Sequence, residues 1–233
     1  MVIHFGWAMP SSWNHTLAGG HPVLDFVNTL DDWTQPDALD YFETFADAVR
    51  FAEVVGIVSP REAGALASAS VAEARQTSGR PEAGGSRRAS AELTALRRLR
   101  TSLERIFKAS IEGKPTPTAD VAVVRRNFIE AARGTEFVAA AGAPLAHRIG
   151  VEANGAAALR LRVVDSAMAL LQSEAIHQVK VCPSCGWYFL DVSKNQSRVW
   201  CSMESCGARA KARRYYHRTK RRSSGSRPAR SRS

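Results

Sequence analysis

The sequence lacks the features that would place it in a membrane or mark it for secretion. Its longest apolar runs fall far short of the roughly 18 consecutive apolar residues that a membrane-spanning helix needs. Residues 1–20 have neither a basic start nor an uninterrupted apolar stretch, so they do not have the pattern of a secretory signal. We therefore expect a cytoplasmic protein with no membrane partner, in which cysteines stay reduced.

The familiar sequence signatures of catalysis are also missing. There is no phosphate-binding P-loop, no Gly-x-Gly-x-x-Gly after a strand and no His-Glu-x-x-His motif. None of the six histidines is paired with another at metal-ligand spacing. We therefore expect that this protein is not an enzyme.

Acidic residues are scarce in only one part of the chain. The 233 residues carry 32 Lys and Arg against 22 Asp and Glu, a formal charge of +10. Residues 182–233 hold 13 of the basic and two of the acidic residues, a net +11, whereas the first 181 residues hold 19 and 20, a net −1. A basic segment attached to a neutral body is typical of a protein that binds a polyanion.

Cysteine is absent from the first 181 residues, and all four cysteines lie in the basic segment. Cys182 and Cys185 form one pair, Cys201 and Cys206 the other, and 15 residues separate the pairs. This spacing is typical of a zinc site, in which sulfurs surround the metal at about 2.3 Å. Gly186 after the first pair can adopt the positive φ that a tight turn requires. Four thiolates complete the coordination, so we expect one structural zinc ion.

Other uses of four cysteines fit less well. Disulfides are unusual in a reducing compartment, and a redox Cys-x-x-Cys motif needs one pair rather than two. An iron–sulfur cluster also takes four cysteines, but the Cys-Pro-x-Cys-Gly turn favours zinc. His177, five residues before Cys182, is an alternative ligand if one cysteine is not used.

The basic segment has the pattern of a small zinc finger. Residues 187–190 read as a strand that forms a hairpin with residues 199–200, through a turn near 193–196. Ser202 is a suitable N-cap, and no Gly or Pro interrupts residues 208–222, which predicts a helix there. A turn, a hairpin and a helix that carries the last ligands form a treble-clef-like finger.

Helical spacing divides the predicted helix into faces. Ala208, Ala212, Tyr215 and Thr219 share one side, which we expect to pack on the hairpin aromatics. The cations form two flanks. Along an isolated helix these cations would repel one another, and a phosphate backbone would relieve that repulsion. The alternative is a charged face that only contacts solvent. The residues expected to bind nucleic acid are Arg198, Arg209, Lys211, Arg213, Arg214, Arg218 and Lys220.

These residues resemble the CGNR zinc finger family. The similarity runs through residues 182–187, 189–193, 197–203 and 206–214. The family takes its name from Cys-Gly-Asn-Arg, and Ala208 stands here at the position of the Asn. Val199 stands where the family usually has a second arginine before its Trp. We expect the missing Asn to remove a hydrogen bond inside the finger rather than a DNA contact.

Residues 19–30 resemble the opening of the ABATE domain, which commonly precedes this finger and occurs in proteins described as stress-induced transcription regulators. Asp25 and Asn28 lie in this stretch. They could line a small-molecule site, although Asp and Asn near the start of an element more often form local hydrogen bonds that fix a turn.

The region between these segments has mainly helical spacing. Apolar residues at intervals of three and four predict helices near residues 24–30, 41–54, 59–74, 93–107, 117–133 and 156–176. In the fifth of these we expect an inward face of Val121, Val124, Phe128 and Ile129. Residues 135–141 and 146–152 read as two strands, and residues 76–85 as a loop.

The sequence therefore predicts an α+β chain, with a mainly α-helical body that includes a small β-hairpin, followed by a C-terminal treble-clef-like zinc finger. The expected divisions are an N-terminal arm over 1–18, an ABATE-like domain over 19–178, a CGNR-type finger over 179–222 and a disordered basic tail over 223–233. With little linker between body and finger, we expect the two to dock.

The predicted function is a zinc-dependent, DNA-binding transcription regulator that associates with the nucleoid. Its body would sense a small-molecule effector or form a homodimer. Two alternatives stay open on sequence: an RNA-binding or ribosome-associated zinc module, and a protein-interaction module that docks on the transcription machinery.

Overall fold

The computed structural model describes residues 17–33, 35–78, 87–140 and 143–224, and within them helices dominate. The eight α-helices of these residues are α1 (Pro22–Val27), α2 (Phe45–Val54), α3 (Pro60–Ser78), α4 (Arg87–Ile111), α5 (Thr118–Arg133), α6 (Val151–Asn154), α7 (Ala157–Leu171) and α8 (Ala208–Ser224). Two antiparallel sheets of two strands each are formed by β1 (Thr135–Ala140) with β2 (Ala143–Ile149), and by β3 (Val179–Val181) with β4 (Tyr188–Leu190). The expected fold class, a helical body with a small hairpin and a C-terminal cysteine finger, is confirmed.

Helices α2 and α3 begin where polar side chains satisfy their first backbone N–H groups. The Thr44 hydroxyl accepts from the Asp47 N–H, and the Asp47 carboxylate accepts from the Thr44 N–H at 2.8 Å. Ser59 and Glu62 make the same reciprocal pair at the start of α3. The sequence predicts this Ser cap, but α3 runs on to Ser78, past the predicted end of the helix.

The core is built around the short helix α1. Its apolar residues are fully buried because α4, α7 and β4 pack around it. Phe26 of α1 lies against Phe42 and Phe51, with ring centroids 5.5 to 6.2 Å apart among the three. The regular leucines of α4, such as Leu96 and Leu103, complete this core.

The inward face of α5 differs from the expected one. Val124 is buried as expected, but Val121, Phe128 and Ile129 are about two-fifths exposed. Asn127 is buried in their place. The apolar spacing was misleading because α5 turns a polar residue towards the body.

Arg160 of α7 explains this orientation of α5. Its side chain is nearly fully buried, and its guanidinium donates to the Asn127 side-chain oxygen of α5 at 2.6 Å. It also donates to Glu92 of α4 at 2.7 Å and to Glu130 of α5 at 2.9 Å. Three helices are therefore joined through one buried cation whose donors are paired.

Other boundaries shift by a few residues. The second strand covers 143–149 rather than 146–152, because residues from Val151 form the short α6. The predicted helix over 156–176 ends at Leu171, and a 3₁₀ turn over Glu174–Gln178 leads into β3. Of the expected terminal segments, residues 1–16 and 225–233 lie outside the described residues, and α8 includes 223 and 224. Among the described helices, none combines the length and apolarity that crossing a membrane would require.

We predict that Arg160→Met lowers the free energy of unfolding by about 3 kcal/mol or more, because it leaves the carboxylate of Glu92 partly buried without its partner. Arg148→Met is the matched control: the Arg148–Glu136 pair is exposed and screened by solvent, so its loss should leave the free energy of unfolding nearly unchanged. Urea unfolding of the two variants at neutral pH measures both. Equal losses would contradict a structural role for the Arg160 network.

Candidate metal centre and nucleic-acid interface

The first cysteine pair lies in the turn between β3 and β4. These strands pair antiparallel, with Val179 opposite Leu190 and Val181 opposite Tyr188. The Cys182 N–H donates to the Trp187 carbonyl at 2.8 Å, and the Gly186 N–H donates to the Cys182 carbonyl at 2.9 Å. Gly186 has φ of +73°, the conformation expected of it.

The strand partner is thus a correction to the sequence prediction. Residues 187–190 were expected to pair with 199–200, but β4 pairs with β3 across the cysteine turn. Residues after β4 instead fold around a buried carboxylate, that of Asp191.

Asp191 organises the segment between the cysteine pairs. One carboxylate oxygen accepts from the Ser193 hydroxyl at 2.6 Å, and the other accepts from the Arg198 N–H at 3.0 Å and from Lys180 Nζ at 2.6 Å. Burial raises the pKa of Asp191, but the hydrogen bonds from Lys180 and Ser193 outweigh it, so its pKa lies well below its ordinary value. A charged carboxylate therefore holds this loop at neutral pH.

Cys206 lies in a π-helical turn that precedes α8, and Cys201 lies just before that turn. The Ser202 hydroxyl accepts from the Ser205 N–H at 3.2 Å, as its predicted N-cap role requires. The turn continues through Met203–Gly207 into α8. A Cβ at Gly207 would lie 3.1 Å from the Met203 sulfur, so a side chain there would crowd the turn that carries Cys206.

The structure brings the four cysteine sulfurs together. All of their Sγ atoms lie within 4.8 Å of one another, and the Cys185–Cys201 and Cys201–Cys206 distances are both 3.6 Å. Sulfurs placed 2.3 Å from a tetrahedral zinc would be about 3.8 Å apart, whereas a disulfide needs about 2.05 Å. The cluster is therefore suited to zinc. Cys182, Cys201 and Cys206 are buried, and Cys185 is half-buried.

The sulfurs of Cys182 and Cys185 resist ionising without a cation. Burial raises the pKa of Cys182, and the hydrogen bond with the Cys201 sulfur, together with burial, raises that of Cys185. Burial also raises the pKa of Cys206, but the Arg209 guanidinium, 3.0 Å from its sulfur, and the neighbouring sulfurs lower it to about 7. A divalent cation at the centre of the cluster would favour the thiolate form of all four.

The basic residues expected to bind nucleic acid fall into two groups. The Arg198 guanidinium points into the finger: it lies 4.7 Å from the centre of the Phe189 ring and donates to the carbonyls of Trp200 and Cys201. Arg209 contacts the Cys206 sulfur. The other five, all exposed along α8, are Lys211, Arg213, Arg214, Arg218 and Lys220, of which Arg213 also donates to the Ser184 hydroxyl at 3.0 Å.

The orientation of α8 also corrects a sequence expectation. Ala208, Ala212, Tyr215 and Thr219 were expected to pack on the hairpin, but all four are exposed, and Tyr215 is 64% exposed. Among the α8 residues whose side chains are described, Ala210 is the buried one. Since Ala208 is exposed, an Asn at this position would not face the interior of the finger.

Asp25 and Asn28 both form hydrogen bonds within the protein. The Asn28 side chain donates to the Tyr188 carbonyl and accepts from the Tyr188 N–H, both at 2.8 Å. Asp25 accepts from the N–H groups of Ala18 at 2.9 Å and Gly19 at 2.8 Å. These contacts favour the structural interpretation of both residues over the small-molecule one.

Tyr188 joins the finger to the body, a role that the strand predicted over 187–190 did not include. It is almost fully buried beside Phe107, and its hydroxyl donates to Glu104 of α4 at 2.7 Å. Trp187 donates from its indole N–H to the Asp31 carbonyl at 2.5 Å. The aromatic run 187–189 was the available signal, but nothing local identifies its partners in the body.

Two family models match the chain. The CGNR zinc finger matches residues 178–219, and ABATE, described as "Putative stress-induced transcription regulator", matches residues 20–174, about two thirds of the chain. No curated protein matches this sequence. Both resemblances seen in the sequence are therefore confirmed.

We predict that the full chain binds one zinc ion and that Cys201→Ser loses it, because a hydroxyl is a much poorer ligand than a thiolate. Metal analysis of the purified proteins measures the stoichiometry. Ser205→Ala, a change next to Cys206 that removes no ligand, should retain the metal. A folded wild-type chain without zinc would contradict the assignment.

We predict that Asn28→Leu lowers the free energy of unfolding of the zinc-loaded chain by about 3 kcal/mol, because it leaves the buried N–H and carbonyl of Tyr188 without partners. Asn195→Leu, at an exposed position of the finger, should change it by no more than about 0.5 kcal/mol. Denaturant titration in excess zinc compares them. If the two variants unfold alike, Asn28 does not hold the finger on the body.

Proposed function

Because this chain belongs to the ABATE family, the proteins described as putative stress-induced transcription regulators, we propose that it is a zinc-dependent transcription regulator that binds duplex DNA through α8. The matching descriptions concern regulation rather than catalysis. The observation that carries the proposal is the exposure of a cationic helix beside the cysteine cluster.

Helix α8 is exposed to solvent over most of its described length. Every residue from Lys211 to Lys220 is exposed, and this stretch contains five Lys and Arg and no acidic residue. A helix that only completed a finger core would bury an apolar stripe. An exposed helix with this charge is suited to a polyanionic backbone, which would neutralise the repulsion among its cations.

Duplex DNA fits this helix better than duplex RNA does. The major groove of B-form DNA is about 12 Å wide and admits an α-helix of about 10–12 Å. The major groove of A-form RNA is deep and too narrow for side chains to read. We therefore favour DNA as the partner, and RNA is the alternative that a competition experiment distinguishes.

Zinc has a structural part in this proposal. The four residues that would hold it are Cys182, Cys185, Cys201 and Cys206. Bound there, zinc would fix the turn from which α8 begins. Arg209 would remain beside the Cys206 thiolate, where it offsets part of the negative charge of a site with four thiolates.

The body has a cavity that suits a regulatory role. The cavity lies between α3, the start of α4 and the region of α6. Its volume of about 410 Å³ is within the size range of small-molecule pockets. Leu66, Ala89 and Val151 provide apolar walls, and Arg61 and Glu152 provide charge. We assign the effector site of the proposed regulator to this cavity. We also propose that the protein is cytoplasmic and acts at the nucleoid.

We predict that affinity for duplex DNA falls steeply with salt. If the five exposed cations of α8 each neutralise one phosphate, a plot of log affinity against log salt concentration has a slope of about −4.5. Replacing Lys211, Arg214 and Arg218 together by Ala should make that slope shallower by about 2.7. Fluorescence anisotropy of the zinc-loaded full chain over a salt series measures both.

The matched control replaces three exposed cations of the body, Lys108, Arg125 and Arg126, by Ala and should leave the slope unchanged. Absence of binding to any duplex DNA at low salt would overturn the proposal. Tighter binding to RNA in a competition with duplex DNA would favour the ribosome-associated or RNA-binding alternative.

A further inference from the structure

The exposed side of α8 that faces away from the finger is uncharged. At 100° per residue, Ala208, Ala212, Tyr215 and Thr219 fall within one sector of the helix, and all four are exposed. We call these residues the uncharged strip. The opposite sector contains Ala210, which is buried against the finger. The strip therefore lies on the side of α8 that a large partner could reach.

Cations border the uncharged strip on both sides. Arg209, Arg213 and Lys220 lie within about 40° of one another on one flank, which is the flank nearer the finger because Arg209 contacts the Cys206 sulfur and Arg213 the Ser184 hydroxyl. Lys211, Arg214 and Arg218 lie within about 60° of one another on the other flank. Going round the helix, the order is finger contact, cationic flank, uncharged strip and second cationic flank.

This order matches the walls and floor of a major groove. Each wall of the groove is a phosphate backbone, and base edges with their hydrogen-bonding groups and thymine methyls form the floor. We propose that the uncharged strip faces the base edges and that Tyr215 and Thr219 discriminate the sequence. This inference rests on the proposed function, because it specifies how the same helix would read duplex DNA.

The two side chains have suitable chemistry. The Tyr215 hydroxyl can donate to or accept from a base edge, and this side chain is 64% exposed. The Thr219 hydroxyl donates to the Tyr215 carbonyl at 2.7 Å within the helix, so its methyl group is the part available to a thymine methyl. Ala208 and Ala212 are small enough to let the helix backbone approach the floor of the groove.

The length of the strip sets the size of the site. From Ala212 to Thr219 the helix rises by about 10 Å. That is about three base pairs at 3.4 Å per step. One chain should therefore specify three to four adjacent base pairs, with the cations contacting phosphates on both strands around them.

The experiment is a selection of binding sites from a random duplex library with the zinc-loaded full chain. We compare the wild type, Tyr215→Ala and Tyr216→Ala. Tyr216 is the matched control because it is the same residue type, is 62% exposed and lies next in sequence, but is turned 100° round the helix towards the Arg209 flank. Zinc content and circular dichroism confirm that each variant is folded.

The wild type should enrich a motif concentrated in three or four adjacent base pairs. Tyr215→Ala should lose about tenfold in preference at one or two of them, while its non-specific affinity and salt dependence stay unchanged. Tyr216→Ala should keep the motif. A wild type that binds duplex DNA without an enriched motif, or a Tyr215→Ala variant with an unchanged motif, overturns this inference and leaves the proposed function standing. Failure to bind duplex DNA at all overturns both.

Discussion

The pairing of the Asn28 amide with the backbone of Tyr188 is the constraint on which the rest of the structure depends. Asn28 follows α1, the helix at the centre of the body core, and Tyr188 begins the strand next to the first cysteine pair. Both hydrogen bonds are buried and join residues 160 positions apart. Because the amide offers one donor and one acceptor, it fixes the register as well as the position of β4. The sulfur cluster, and through it α8, is thereby held in a defined orientation to the helices.

Local patterns in the sequence predicted the parts of the molecule that local chemistry decides. The cysteine spacing, the positive φ of Gly186 and the cap at Ser59 follow from neighbouring residues, and all three occur in the structure. Of the two faces assigned wrongly, on α5 and α8, that of α5 depends on a distant partner. Asn127 is inward because Arg160 of another helix binds it. Helical spacing gives the residues that share a side, but it does not say which side meets the protein.

Net charge alone does not separate the cations that fold the finger from those available to a partner. Lys180 is bound to the buried Asp191, and Arg198 lies over an aromatic ring. The cations of α8 from Lys211 to Lys220 are exposed, and they are the ones that the proposed contact with DNA would use. The useful distinction is thus between paired and exposed charge.

The contacts of Gly19 affect the order in which parts of the protein can fold during synthesis. The Gly19 carbonyl accepts from the Leu190 N–H at 2.8 Å, and the Gly19 N–H donates to the Asp25 carboxylate. The beginning of the described chain is therefore hydrogen-bonded to β4, a strand near its other end. During synthesis the ribosome must add about 160 residues after Asn28 before β4 can arrive. Until then the central helix has no cover on that side, and a nascent body without its finger exposes apolar surface. The cysteine cluster is completed later still, because Cys201 and Cys206 follow β4 in the chain, so the core can be covered before all four cysteines have been made.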